Sequence, residues 1–146
     1  MTYLLDINVL IALFDAAHPH HEPAHRWFAA IGKQSWATCP MTENGFVRIV
    51  SNPAYGSIAT SPENAALHLR TFCTEPGCIF WPNTLSITEP AIFDLSHLRG
   101  HQQVSDLYLA GLALVRGGKL ATFDASIPVA ALIGGPHNVV ELIPTG

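Results

Sequence analysis

The run Leu4-Leu5-Asp6-Ile7-Asn8-Val9-Leu10-Ile11 is almost continuously apolar, with one carboxylate set inside it. A charge in such a run must be paired, hydrogen-bonded or bound to metal to offset its desolvation. Asn8 is a good helix N-cap, which predicts a buried strand over Thr2–Ile7 and a helix over Val9–Asp15. Asp6 then stands at the carboxyl end of a strand, facing a helix N-terminus. In open α/β sheets this edge is where ligands bind.

The same patterning predicts the remaining elements. His18-Pro19-His20-His21-Glu22-Pro23 reads as an exposed turn leading into an amphipathic helix with Trp27, Phe28 and Ile31 inward. A metal or phosphate site there would need further ligands held rigidly, and a Pro-rich turn supplies none. Ser35–Cys39 is a short strand closed by Pro40, followed by a helix over Met41–Val50 with Glu43 in its first turn. Ser61-Pro62-Glu63 is a helix start with N-cap and Pro at the first helical position, running to about Thr74. Cys78–Trp81 is a third strand, and Thr88-Glu89-Pro90 opens a short helix through Leu95. Val104–Arg116 is apolar nearly all round and therefore central, capped by Ser105 or a neighbour and ended by Gly117. Lys119–Phe123 is a strand that Asp124 ends as Asp6 ends the first; a small apolar segment, Ile127–Ile133, precedes a last strand over Val139–Ile143.

Alternating strands and helices argue for a three-layer α/β/α sandwich around a mostly parallel sheet. With 146 residues, one domain over 1–146 is expected. Hydrophobic residues make up 49% and charged residues 12%, which excludes a disordered chain. The longest apolar runs fall short of a bilayer span, and an acid at Asp6 without a basic leader argues against a signal peptide. Cys39, Cys73 and Cys78 are odd in number and scattered, as expected of reduced thiols in a cytoplasmic protein. A net charge of −4 is unlike a protein that grips nucleic acid mainly by ion pairing. The basic residues that remain to guide a backbone include Arg48, Arg99, Arg116 and Lys119.

In a parallel sheet, strand ends and the N-termini of the helices lie on one edge. Asp6 and Asp124 as strand-end acids, with Glu43 and Asp106 as first-turn acids, are therefore expected to converge. Clustered carboxylates repel and raise one another's pKa, and a divalent cation removes that penalty. Oxygen-only ligands suit Mg²⁺ or Mn²⁺ and argue against zinc. Such a site suits phosphodiester hydrolysis by a metal-activated water.

These residues resemble a known family. Leu4-Leu5-Asp6-Ile7-Asn8-Val9-Leu10, Thr42-Glu43-Asn44-Gly45-Phe46, Val104-Ser105-Asp106-Leu107-Tyr108-Leu109-Ala110 and Leu120-Ala121-Thr122-Phe123-Asp124 are similar to the successive motifs of PIN-domain ribonucleases, in particular the VapC-type toxins of toxin–antitoxin pairs. The His-Pro-His-His turn before Trp27 is also similar. The resemblance implies an endoribonuclease dependent on Mg²⁺ or Mn²⁺, acting on RNA as a homodimer inhibited by a cognate antitoxin. It implies metal-site and catalytic roles for Asp6, Glu43, Asp106 and Asp124, with Asn8, Ser105 and Thr122 orienting the acids or the water. Ile7 and Ser105 stand where Thr is more usual, which leaves the acid set intact.

Two other classes compete. A haloacid-dehalogenase-like phosphatase would use Asp6 as nucleophile, but needs a second acid where this chain has Asn8. A catalytically silent binding module would not require all four acids.

Overall fold

The computed structural model describes residues 1–135 and 138–146. Among these residues the strands are β1 (Tyr3–Leu5), β2 (Trp36–Thr38), β3 (Cys78–Phe80), β4 (Lys119–Thr122) and β5 (Val140–Leu142). The α-helices are α1 (Ile7–Phe14), α2 (His21–Ala30), α3 (Pro40–Val50), α4 (Pro62–Phe72) and α5 (Val104–Val115). The strands form one sheet in the order β3-β2-β1-β4-β5, and every pairing is parallel.

The pleat explains the layers, because successive strand residues point to opposite faces. Leu4 and Leu120 pack on one side with Leu107, Leu109 and Leu112 of α5. Leu5 and Ala121 pack on the other with Val9 and Leu10 of α1, Phe46 of α3 and Leu69 of α4. Strands covered on both faces need side chains apolar on both, which is why β1 reads as an unbroken hydrophobic run. The architecture is the α/β/α sandwich expected from the pattern, with a sheet parallel throughout.

Several local expectations are corrected. Asp6, not Asn8, is the N-cap of α1: its carboxylate accepts from Ile7 N at 2.8 Å, and Val9 N and Leu10 N donate to its carbonyl. Asn8 is drawn away to β4, where its side chain bonds Thr122 and Phe123. No α-helix forms over Thr88–Leu95, which carries turns, a β-bridge at Phe93 and the start of a 3-10 turn over Leu95–His97. Pairing wins there: Phe93 bridges Leu132, Asp94 N donates to Ala131 O and Ile133 N to Ile92 O, both at 2.8 Å. Ile31 ends α2 with 42% of its surface exposed instead of facing the core. Ser105 does not cap α5, because the 3-10 turn His101–Gln103 runs straight into the helix and leaves Ser105 inside its first turn.

The histidine turn has a structural role. His21 Nδ1 and His25 Nε2 each lie 2.8 Å from a carbonyl in the last turn of α1, those of Ala12 and Leu13. A carbonyl only accepts, so each of these ring nitrogens carries the proton and donates. Carbonyls left without partners at a helix C-terminus are thereby satisfied.

Candidate active site

β1 and β4 are neighbours at the centre of the sheet, with Leu5 opposite Ala121. The residues that follow them, Asp6 and Thr122, meet at the carboxyl edge. This is also where connections diverge to opposite sides of the sheet, the position that open α/β folds use for ligands. Asp6 is only 6% exposed. Its Oδ2 accepts from Thr122 Oγ1 at 2.7 Å, and its Oδ1 from Ile7 N at 2.8 Å. Thr122 Oγ1 in turn accepts from Asn8 Nδ2 at 3.2 Å and Asp124 N at 3.1 Å. A hydroxyl has one proton and two lone pairs, so Thr122 is saturated and its proton is committed to Asp6.

Asp124 is fixed on its other side by Ser126, whose N and Oγ donate to Asp124 Oδ1 at 2.8 and 2.6 Å. Asp106 enters from the first turn of α5. It is half-buried and makes no side-chain hydrogen bond among the described residues, so its carboxylate is the one free to swing.

The electrostatics tie these acids together. Burial raises the Asp6 carboxyl, donation from Thr122 and Ile7 opposes that rise, and the charge of Asp124 adds to it. Burial, then Asp6 and Asp124, push Asp106 up to about 6. Among the described residues no Lys or Arg lies within ion-pair distance of these three carboxylates; the Lys nearest in sequence, Lys119, pairs with Glu141 at 3.8 Å.

Glu43 has its own anchor. In the first turn of α3, its Oε2 accepts from Thr38 Oγ1 at 2.7 Å at the end of β2. Its charge bears on Cys73 and on Cys78, where burial and then the Cys73 thiol are the larger causes of a rise to about 12. Ser105 is exposed and makes no side-chain hydrogen bond among the described residues. Thr38 and Ser126, which orient Glu43 and Asp124, stand outside the sequence motifs. The signal for Ser126 was present, since a Ser two residues after an Asp is a common local side-chain turn.

The site also bears on a metal. Its donors are carboxylate oxygens without a cationic partner, mutually repelling and partly withdrawn from water, and this donor set fits a hard divalent ion. As the side chains stand, no three His, Cys, Asp or Glu groups among the described residues are disposed to hold one. Asp106 is the acid of this group without a side-chain hydrogen bond among the described residues.

Comparison with known proteins bears on the whole chain. The family model described as PIN domain matches residues 3–132. Ribonuclease VapC39 of Mycobacterium tuberculosis is 40% identical over 134 residues, covering 92% of this chain and 96% of that protein. Ribonuclease VapC29 of the same organism is 41% identical over 145 residues, covering 99% and 98%. Among solved structures, VapC20 of Mycobacterium tuberculosis, a sarcin–ricin loop cleaving toxin, superposes with a TM-score of 0.68 at 16% identity over 97% of this chain and 99% of that one. VapBC2 of Rickettsia felis, bound to a DNA fragment from its promoter, does so with a TM-score of 0.63 at 14% identity over 99% and 100%. The last two speak for the fold alone; the family model and the ribonuclease relatives together establish that this chain belongs to the PIN domain family.

Proposed function

We propose that the chain is the toxin of a toxin–antitoxin pair, an endoribonuclease whose catalytic centre is Asp6, Asp106 and Asp124. The observation that carries this reading is the hydrogen-bond chain from Asp6 through Thr122 to the Asp124 backbone, beside an Asp106 whose carboxyl both charges raise, in a chain about two-fifths identical to VapC ribonucleases. When bound, Mg²⁺ or Mn²⁺ supplies activation of a water and neutralisation of charge at the scissile phosphate.

The chain's own residues have separable roles in this reading. Asp6 is the fixed ligand, its Oδ2 held by Thr122 and its Oδ1 by the α1 N-terminus. Asp124 is oriented by Ser126, and Asp106 completes the set. Asn8 bridges Thr122 and the Phe123 backbone, joining the two strand ends into one rigid edge. That use of Asn8 also disfavours the phosphatase reading, which needs a free acid there. Glu43, anchored on Thr38, serves from the flank by orienting water or RNA. Ser105 is left a lesser role on the exposed side.

The partners follow from the same reading: an RNA substrate, a cognate antitoxin that inhibits the enzyme, and a second copy in a homodimer. Among the described residues no helix is long and apolar enough to cross a membrane, and the cytoplasm is the compartment that RNA cleavage implies. The test is to map new 5′ ends of cellular RNA after induction of the chain and of Asp6→Asn. Discrete ends with the first and none with the second support the reading; identical patterns from both reject it.

A further inference from the structure

The turn between α1 and α2 makes a contact that the acids do not explain. The His20 imidazole lies on the Phe123 ring, with centroids 4.7 Å apart and planes 24° from parallel. Beyond it the His18 ring lies 5.7 Å from His20, tilted by 50°. The turn is held in place: His18 N donates to Asp15 O, His21 N to His18 O, and His20 N to His18 Nδ1, each at 3.0 Å. Phe123 stands between Thr122, which holds Asp6, and Asp124, and its N donates to Asn8 Oδ1. Both rings are only half-buried. An aromatic stack thus reaches the surface one residue from the acid edge.

A second observation gives the stack a task. The chain carries a net charge of −4 with seven Lys and Arg, so ion pairing with phosphates supplies little affinity for RNA. Unstacked bases bind instead on aromatic faces, and both His and Phe serve in this way. We propose that His20 and Phe123 form the ledge on which a nucleobase beside the scissile phosphate stacks, so that the turn positions single-stranded RNA against the acids. This rests on the ribonuclease reading above. Phe123 supplies the ring fixed to the catalytic strand end, and His20 extends it outward.

The probe is a short single-stranded oligoribonucleotide carrying 2-aminopurine, whose fluorescence is quenched by stacking. It is titrated with protein in Mg²⁺, every protein also carrying Asp6→Asn so that the strand stays intact. The parent quenches the probe. Phe123→Leu and His20→Ala lose the quench and weaken affinity about 5- to 150-fold, the range that one stacked base supplies. His20→Phe restores both, which a merely structural contact would not require. Quenching and affinity unchanged in His20→Ala and Phe123→Leu, or a parent that never quenches, overturn the ledge. Circular dichroism checks each variant; should Phe123→Leu unfold, His20→Ala against His20→Phe decides. Failure of the ribonuclease reading shows separately, as absence of Mg²⁺-dependent cleavage by the unsubstituted chain.

Discussion

Thr122 Oγ1 donates to Asp6 Oδ2 at 2.7 Å, joining residues 116 apart in sequence across the centre of the sheet. The bond is what makes a carboxylate tolerable at this depth. With Ile7 N donating to Oδ1 at 2.8 Å, both oxygens of Asp6 are held by protein, and the acid keeps its orientation at the edge.

Removing that hydroxyl tests its role. Thr122→Val keeps the shape and leaves Asp6 Oδ2 and Asn8 Nδ2 without their partner. Urea denaturation at neutral pH is expected to read a loss of about 1–3 kcal/mol, the penalty of an unsatisfied buried polar group. Divalent-ion affinity should fall about 10- to 100-fold, as for other groups that orient a ligand.

Asp106 gives a pH dependence of defined sign. Its folded-state value of about 6 lies above the ordinary carboxylate range, so the folded chain holds this proton more tightly than the unfolded chain. Its contribution to stability is therefore lost as pH rises from about 4 to about 6. Asp106→Asn should raise the melting temperature at pH 7 and have little effect near pH 4. An equal effect at both pH values would contradict the assignment.

His21 and His25 are expected to matter for stability but not for chemistry. Each donates to an end carbonyl of α1, so His21→Ala and His25→Ala should each lower stability by about 0.5–1.5 kcal/mol in denaturant melts. The rate of RNA cleavage by folded protein should be unchanged.

Gly118 is set by close approach. A methyl group there would lie 2.4 Å from Thr2 O, which accepts from Lys119 N where β1 and β4 pair. The neighbour is backbone and cannot turn aside. Gly118→Ala should cost about 1–3 kcal/mol by overpacking, read as a shift in the denaturation midpoint.

Much of this was legible because the physics is local. An acid inside Leu4–Ile11, another closing Lys119–Phe123, and a helix over Val104–Arg116 apolar nearly all round leave few alternatives to a parallel sheet with acids on one edge. What was not legible depended on long-range competition. Asp6 and Asn8 are equally good caps by residue type, and the choice fell to Asp6 because Thr122 and Phe123 engage Asn8. Thr88–Leu95 has a helix start by residue type, yet pairing of Ile92–Asp94 with Ala131–Ile133 prevails. Glu43 shares its first-turn placement with Asp106. Its tether to Thr38 is local, but it depends on how the strand β2 turns into α3.

The most direct test of the shared acid centre is calorimetric titration of Mn²⁺ into the unsubstituted chain and into Asp6→Asn, Asp106→Asn and Glu43→Gln. Saturable binding that disappears in both Asp variants and persists in Glu43→Gln is the predicted result. Undiminished binding in Asp106→Asn, or a loss confined to Glu43→Gln, would contradict it.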